Sequence, residues 1–306
     1  MSMEIMKKRI VVVVNKGWEC DPVLSVLTNE YIQKEIFPVW PEIIHFPQPE
    51  GFYSGEPRAV FNLNGISVEI WCISDLLARY DKSPCFQSSS ERKMELLPII
   101  FNYSSRSADL VIAVGTAASY PADISNNGSV TIGSRVFLHN AYPKGENRKC
   151  SNWNEGPFDR ILGSSLSEQL FNELMESLYQ KNLTAYFLKT PVNPAKNADI
   201  YSGYNFVALS SINVTQYSEY EKKDFELLES FRKISTDILM AKSIETTHAL
   251  IKVAAGIETP FIFVSGIVDR YLHFNDDVPN PPYPQNFVGA HNAGIVIAGL
   301  LDSITK

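Results

Sequence analysis

The sequence predicts an α/β protein with a sheet at its centre and helices packed around it. Apolar runs of strand length alternate with helix-like segments from one end of the chain to the other. The two strongest runs, residues 9–14 and 261–269, lack polar alternation and read as strands buried on both faces. A hydrophobic content of 45% in 306 residues is enough for a sizeable core.

The elements follow in order. The start, with Lys7-Lys8-Arg9 before an apolar run, superficially resembles a leader. That run is too short for a signal or a membrane segment, so it reads as a first strand. Asp21-Pro22 is a good cap and first-turn pair for a helix over residues 22–34. Residues 37–57, rich in proline and aromatic side chains, read as an irregular excursion. Asn64-Gly65 joins strands 59–64 and 67–73 as a hairpin. A helix over 91–105 leads into a strand at 109–114, which continues to a small-residue turn, Gly115-Thr116-Ala117-Ala118. Strands are expected at 130–138, 183–188 and 206–212, and helices at 165–180 and 220–239. A helix over 243–255, stopped by Gly256, carries Glu245, and the strand ending in Asp269 follows it. A proline-rich loop spans 270–287 and suits a pocket rim or subunit contact; a helix over 288–304 closes the chain. No linker or repeat divides it, so residues 1–306 are read as one domain.

Composition removes several function classes. The net charge is −7, with no basic stripe to bind a nucleic-acid backbone. Cys20, Cys72, Cys85 and Cys150 lie far apart, and no histidine pair has helical ligand spacing, so neither a zinc site nor a disulfide scaffold is expected. Buried free thiols in a reducing cytoplasm are the expectation. No G-x-G-x-x-G or Walker A pattern is present, and no metal or organic cofactor is expected.

The chemistry rests on carboxylates. Asp269 ends a buried strand, where open α/β sheets place their ligands, and Glu245 comes from the element before it. Taken singly, Asp269 reads as a turn or helix cap and Glu245 as an exposed charge near a helix start. As a pair beside the Gly115 turn they suggest one pocket.

In order along residues 10–300, these pieces resemble the nucleoside phosphorylase and nucleosidase family, in particular its methylthioadenosine/S-adenosylhomocysteine nucleosidases. Gly115-Thr-Ala-Ala118 is similar to the family's Gly-Thr/Ser-Ala-Gly turn. Val130 to Asn140 resembles its strand ending in Tyr-His-Asp, and Ser202-Gly-Tyr-Asn-Phe206-Val207 its Ser-Gly-Asp-x-Phe-Ile segment. Ser243-Ile-Glu245 is similar to Glu-Met-Glu, and Ile267-Val-Asp269 to Ile-Ser-Asp. Ser243, Ile244, Ser265, Val268, Tyr204 and Ala118 depart from the family's residues.

The resemblance implies a phosphorylase/hydrolase-like fold, a central mixed sheet surrounded by helices, with subunits that form a homo-oligomer. It implies a small-molecule purine nucleoside as partner and cleavage of its N-glycosidic bond. Asp269 would protonate the purine N7, and Glu19 would activate the attacking water. Glu245 would hold the ribose hydroxyls, with Ile244 under the sugar. Phe206 would stack on the base and Val207 would meet the purine edge. Thr116, Ala117 and His139 complete the expected binding set, and His248 would orient Glu245. The family's phosphorylases hold phosphate with arginines near the first loop and before the Gly-Thr turn. This chain has none at residues 15–24 and has Val114 before Gly115, so water is the expected nucleophile. A phosphate-dependent phosphorylase and a non-catalytic nucleoside-binding protein are the alternatives.

Overall fold

The computed structural model describes residues 8–29, 42–45, 55–80, 89–120, 126–139, 160–190, 198–208, 229, 241–277 and 284–306. Among the described residues twelve strands form one mixed sheet, with helices on both faces, and the α/β expectation holds.

The centre is parallel. β1 (Arg9–Val14) lies between β4 (Ile66–Cys72) and β5 (Leu110–Ser119), parallel to both. Alternate residues serve opposite faces. Ile10, Val12 and Val14 join one core with Ile112, Val114, Ile262 and Val264. That core also takes Val23 and Val26 of α1 (Gly17–Thr28) and Ile295 and Val296 of α7 (Pro284–Ile304). Val11, Val13, Val111, Phe261 and Phe263 face a second core. Leu76 of α2 (Ile73–Tyr80), Leu97 and Ile100 of α3 (Ser89–Asn102) and Ala249–Ile251 of α5 (His248–Ala255) cover that side. A strand buried on both sides needs the unbroken apolar run that the sequence has.

β5 is the branch point. One of its edges pairs with β1 as far as Val114 and, from Ala118, with the antiparallel β11 (Ala241–Glu245). β12 (Phe261–Arg270) runs parallel along the other edge. From β11 the sheet continues through β10 (Tyr204–Ala208) and β7 (Val136–His139) to β8 (Arg160–Leu162). β12 leads instead to β6 (Val130–Gly133) and β9 (Ile200–Ser202). β3 (Ala59–Leu63) and β4 form the expected hairpin, with Asn64 and Gly65 both at positive φ as a two-residue turn of this kind needs.

Several expectations change. Glu245 ends a strand, not a helix: Ile244 is held between the ladders of β5 and β10, and the helix starts only at His248. α1 opens at Gly17, so Pro22 sits inside it and Asp21-Pro22 is not its start. The first turn closes earlier, with the Cys20 amide donating to the Lys16 carbonyl. The 130–138 segment breaks into β6 and β7 at Ser134-Arg135. A Cβ on Gly133 would overlap the Gly203 carbonyl, so the backbones touch just before the break. Residues 183–188 are not a strand; they hold a short 3₁₀ helix, Leu183–Tyr186, that docks Leu183 in the core. α4 (Glu168–Gln180) starts at a Ser167 cap. β2 (Glu42–His45), paired with β3, lies within the excursion expected to be irregular. The loop after Asp269 contains α6 (Phe274–Asp277), and α7 begins at Pro284. Of the expected 220–239 helix only residue 229 is described, and the end of the 206–212 strand lies outside the described residues. Cys20 and Cys72 are free and buried; Cys85 and Cys150 lie outside the described residues.

α7 is long and apolar enough to cross a membrane, yet its apolar surface is spent on the core. Gly266 and Gly289 let it touch the backbone of β12, since a Cβ on Gly266 would overlap the Gly289 carbonyl.

Candidate active site

On β5's divided edge, between the β1 and β11 pairings, Gly115–Ala117 have no strand neighbour among the described residues, while β12 pairs with them on the other edge. The Asn15 amide makes the last bond of the β1 side, 3.3 Å from the Val114 carbonyl. The next inward-pointing amide on that edge, of Thr116, donates instead to Glu19 Oε1 at 2.8 Å, and the Thr116 hydroxyl donates to the same oxygen at 2.8 Å. Glu19 Oε2 accepts from the Lys16 amide at 2.8 Å. A glutamate in the first turn of α1 thus fills the break in the ladder and is only 2% exposed. Burial raises its pKa against the opposing pull of these donors and of Lys93.

β11 returns towards the same gap. It runs antiparallel to β5, with Ser243 opposite Ser119 and Ile244 opposite Ala118, so Glu245 comes next to Ala117. The Glu245 carboxylate accepts the Thr247 amide on Oε2 and the His248 amide, at 2.7 Å, on Oε1. It therefore caps the start of α5. Burial pushes Glu245 up to about 7, while those amides and the charge of Lys93 resist the shift. His248 lies 3.8 Å from Glu245 through Nδ1, stacks on Phe263, and is 3.4 Å from the Ser265 hydroxyl. Complete burial brings its pKa down to about 3, so the imidazole is neutral. His248 meets Glu245 through its backbone amide and not across a shared helix face, since Glu245 ends β11 and the helix starts at His248. A Cβ on Gly115 would lie 3.3 Å from His248 Nε2 and 3.5 Å from Glu19 Oε1. The missing side chain of Gly115 thus makes room for these two groups of the protein itself.

The third carboxylate occupies the opposite edge of β5. Asp269 is opposite Ala118, after a register shift at Val268, and is 4% exposed. A bulge of this kind re-aims the residue beyond it. Ile244 and Asp269 flank Ala118 on its two sides, so their backbones stand about 10 Å apart, two inter-strand spacings. The chain beyond Asp269 is clamped. Arg270 donates its amide and its guanidinium to Asp277, which also accepts from Asn127. Burial works against the charge on Asp277, but these donors outweigh it and hold the pKa below the usual value. Between Arg270 and Asp277, Leu272 takes φ 68°, a costly conformation for its side chain.

The remaining expected residues are distributed around this centre. Thr116 and Ala117 lie in the gap, and Ile244 is buried beside Ala118. Phe206 pairs with Ile244, and Val207 with Glu245, on β10; Ala208 pairs with His139 at the end of β7. The side chains of Phe206, Val207 and His139 lie outside the described part of the structure. Trp18, beside Glu19, is 46% exposed.

Lys93 is a site residue that the sequence reading misses. It is 2% exposed on α3 and donates to the Thr247 hydroxyl at 2.8 Å. Desolvation brings its pKa down to about 7, opposed by the charges of Glu245 and Glu19. One sequence signal marks it: Lys93 shares a helical stripe with Leu97 and Ile100, at i, i+4 and i+7, which both join the core. Arg58, brought close to Gly17, forks onto Asp75 and also reaches Asp21. Among the described residues no three His, Cys, Asp or Glu side chains gather as a metal would require.

No protein-family model matches the chain, and no curated protein matches it in sequence. Solved structures do match it in fold. A 5′-methylthioadenosine/S-adenosylhomocysteine nucleosidase from Campylobacter jejuni superposes with TM-score 0.56 at 9% identity, over 97% of this chain and 99% of that one. Futalosine hydrolase of Helicobacter pylori gives 0.55 at 10% identity, over 97% and 99%. A methylthioadenosine/S-adenosylhomocysteine nucleosidase from Colwellia psychrerythraea, solved with adenine, gives 0.51 at 12% identity, over 97% and 95%. What the chain shares with them is the fold, nearly end to end.

Proposed function

We propose that the protein is a purine nucleosidase, hydrolysing the N-glycosidic bond of a purine nucleoside to free base and ribose or a 5′-modified ribose. The observation that carries this reading is the arrangement of three buried carboxylates around the Gly115–Ala118 segment. Glu19 and Glu245 lie on one edge of β5 and Asp269 on the other. A spacing of about 10 Å across the strand suits a nucleoside with its base towards Asp269 and its sugar towards Glu245. The fold shared with nucleosidases, one of them bound to adenine, supports the same assignment.

Each group has a task. Breaking the bond leaves negative charge on the purine and cationic character on the sugar. Asp269, buried at the end of β12, delivers the proton to N7. Glu245 is held by the Thr247 and His248 amides and feels the Thr246 backbone as well, and its charge draws the ribose 2′- and 3′-hydroxyls as donors. Glu19 accepts three hydrogen bonds, so about one site remains to take the proton of an attacking water. Its raised pKa brings it closer to the working pH of a general base.

Water is favoured over phosphate on charge. Arg58 is matched to Asp75 and Asp21, and the charge of Lys93, with Lys16 and Arg92 in its surroundings, is set against Glu245 and Glu19. A phosphate dianion added there would meet two carboxylates, which is costly in a buried site. A homo-oligomer belongs to this reading through the family resemblance, and the cytoplasm through the expected free thiols.

The test is release of free base from a panel of nucleosides in phosphate-free buffer. Purine nucleosides are cleaved, and pyrimidine nucleosides, which lack N7, are poor substrates. Binding of purine nucleosides without base release would identify a nucleoside-binding protein.

A further inference from the structure

We infer that Lys93 is the internal counter-ion of the sugar-reading half of the site, a positioning residue whose ammonium lets the Glu245 carboxylate stand charged and hydrogen-bonded when a ribose arrives. The inference rests on the nucleosidase reading and assigns a residue to it.

The argument starts from cost. A long flexible side chain ending in a strongly hydrated ammonium is almost never buried without a partner. Lys93 is nevertheless buried, on the face of α3 that carries Leu97 and Ile100 into the core. Its bond to the Thr247 hydroxyl aims it at the turn between β11 and α5. The Thr247 amide donates to Glu245 Oε2, so one residue is bonded both to the ammonium and to the carboxylate. Lysine, hydroxyl, amide and carboxylate form one connected network.

The other charges around Lys93 come from every side. Glu245 approaches on β11 and Glu19 on α1; Lys16, before α1, and Arg92, on the same helix, oppose it. His248, on α5, is close enough to feel Lys93 and is neutral. Glu19 and Glu245 are thus two buried acids flanking a short gap, with one buried ammonium whose charge reaches both. Without that cation, two such acids resist simultaneous ionisation and one retains its proton. A protonated Glu245 would lose acceptor capacity for the ribose hydroxyls. Lys93 makes no contact required of the chemistry itself and acts through Glu245.

The experiment follows the Glu245 carboxyl carbon by NMR in ¹³C-glutamate-labelled protein, assigned by its absence from Glu245→Gln. In the wild-type protein its titration is displaced by the ionisation of Lys93, because interacting groups titrate as a pair. In Lys93→Met the midpoint moves up by about one pH unit or more, and Lys93→Arg, which keeps a cation, restores it towards wild type. An unchanged midpoint in folded Lys93→Met overturns the inference. Should Met prevent folding, Lys93→Gln supplies the same readout. The kinetic counterpart is the acid limb of kcat/KM: Lys93→Met shifts it upward by a similar amount on ribonucleosides and by less on 2′-deoxyribonucleosides. Equal shifts on both sugars also overturn it. If the wild-type protein cleaves no nucleoside, the nucleosidase reading fails, while the carboxyl titration still decides the link between Lys93 and Glu245.

Discussion

The two edges of β5 hold their carboxylates by different means. On the β12 edge, Asp269 is placed by backbone: a continuous ladder, one bulge and a turn locked by Arg270 and Asp277. On the other edge the ladder stops between Val114 and Ala118, and Glu19, Glu245, Lys93 and Thr247 are placed by one another. A position fixed by backbone tolerates a change of side chain with little movement. A position fixed by a charged network transmits each change to its neighbours. Substitutions on the two edges probe that contrast.

The largest effect belongs to Asp269→Asn. The shape is kept but the acidic proton is lost, so kcat falls by about 10²–10⁴-fold, the scale of general acid catalysis. Nucleoside affinity, read by calorimetry, changes little. Near wild-type turnover would remove Asp269 from the chemistry. Next comes Glu245→Gln, on the networked edge. Loss of a charged hydrogen bond of about 1.5–3 kcal/mol lowers the rate on ribonucleosides by about 10–100-fold. The loss on 2′-deoxyribonucleosides is smaller, and equal losses would show that Glu245 does not read the 2′-hydroxyl.

Within the networked edge, the pH dependence of stability sets two buried groups against each other. His248 has its folded pKa lowered to about 3 from 6.5, so its contribution is present above 6.5 and is lost as pH falls towards 3. Glu245 has its folded pKa raised to about 7 from 4.5, so its contribution is present below 4.5 and is lost as pH rises through about 7. Between pH 4.5 and 6.5 the two oppose each other. Glu245→Gln removes one side, and its Tm therefore falls more steeply on acidification through that window than the wild-type Tm. Parallel curves would contradict the burial assigned to the pair.

The smallest effect is expected at Asp277→Asn. The Arg270 clamp loses its charge, and Tm drops by a few degrees, about the scale of 1 kcal/mol in a chain of this size. Because the pKa of Asp277 is lowered in the folded protein, its contribution is present above the usual aspartate value and is lost as pH falls below it. The wild-type and variant curves therefore converge in acid. Turnover decreases modestly, since β12 still carries Asp269.

The backbone-built edge is the legible one. An unbroken apolar run ending in Asp269 identifies a strand, its burial and its mouth together, because every residue obeys one local rule. Glu19 is named from the sequence as a candidate although its helix is expected too late, since Asp21-Pro22 resembles a helix start and the earlier turn at Lys16 carries no such mark. Glu245 is legible too, but on the wrong element. Ala-Leu-Ile-Lys-Val-Ala-Ala after it has helical composition, and five residues of strand before it are too few to show a period of their own. Lys93 lies in Glu-Arg-Lys-Met-Glu, which reads as a solvated surface; only its alignment with Leu97 and Ile100 turns it inward. The 3₁₀ turn at Leu183 reads as a strand in sequence, its apolar residues being set by the core that they fill and not by a repeating pattern.

The central claim is that both edges act on one bond and that water enters from the Glu19 side. Its most direct measurement is the sugar product of a purine nucleoside incubated with the protein in H₂¹⁸O, with and without phosphate. Hydrolysis predicts free ribose, or a 5′-modified ribose, labelled with ¹⁸O at C1′ and formed at equal rates in both buffers. Because free sugars exchange that oxygen with water, the label is read at early times and against unlabelled sugar incubated in parallel. Cleavage that requires phosphate and yields ribose 1-phosphate would contradict the account.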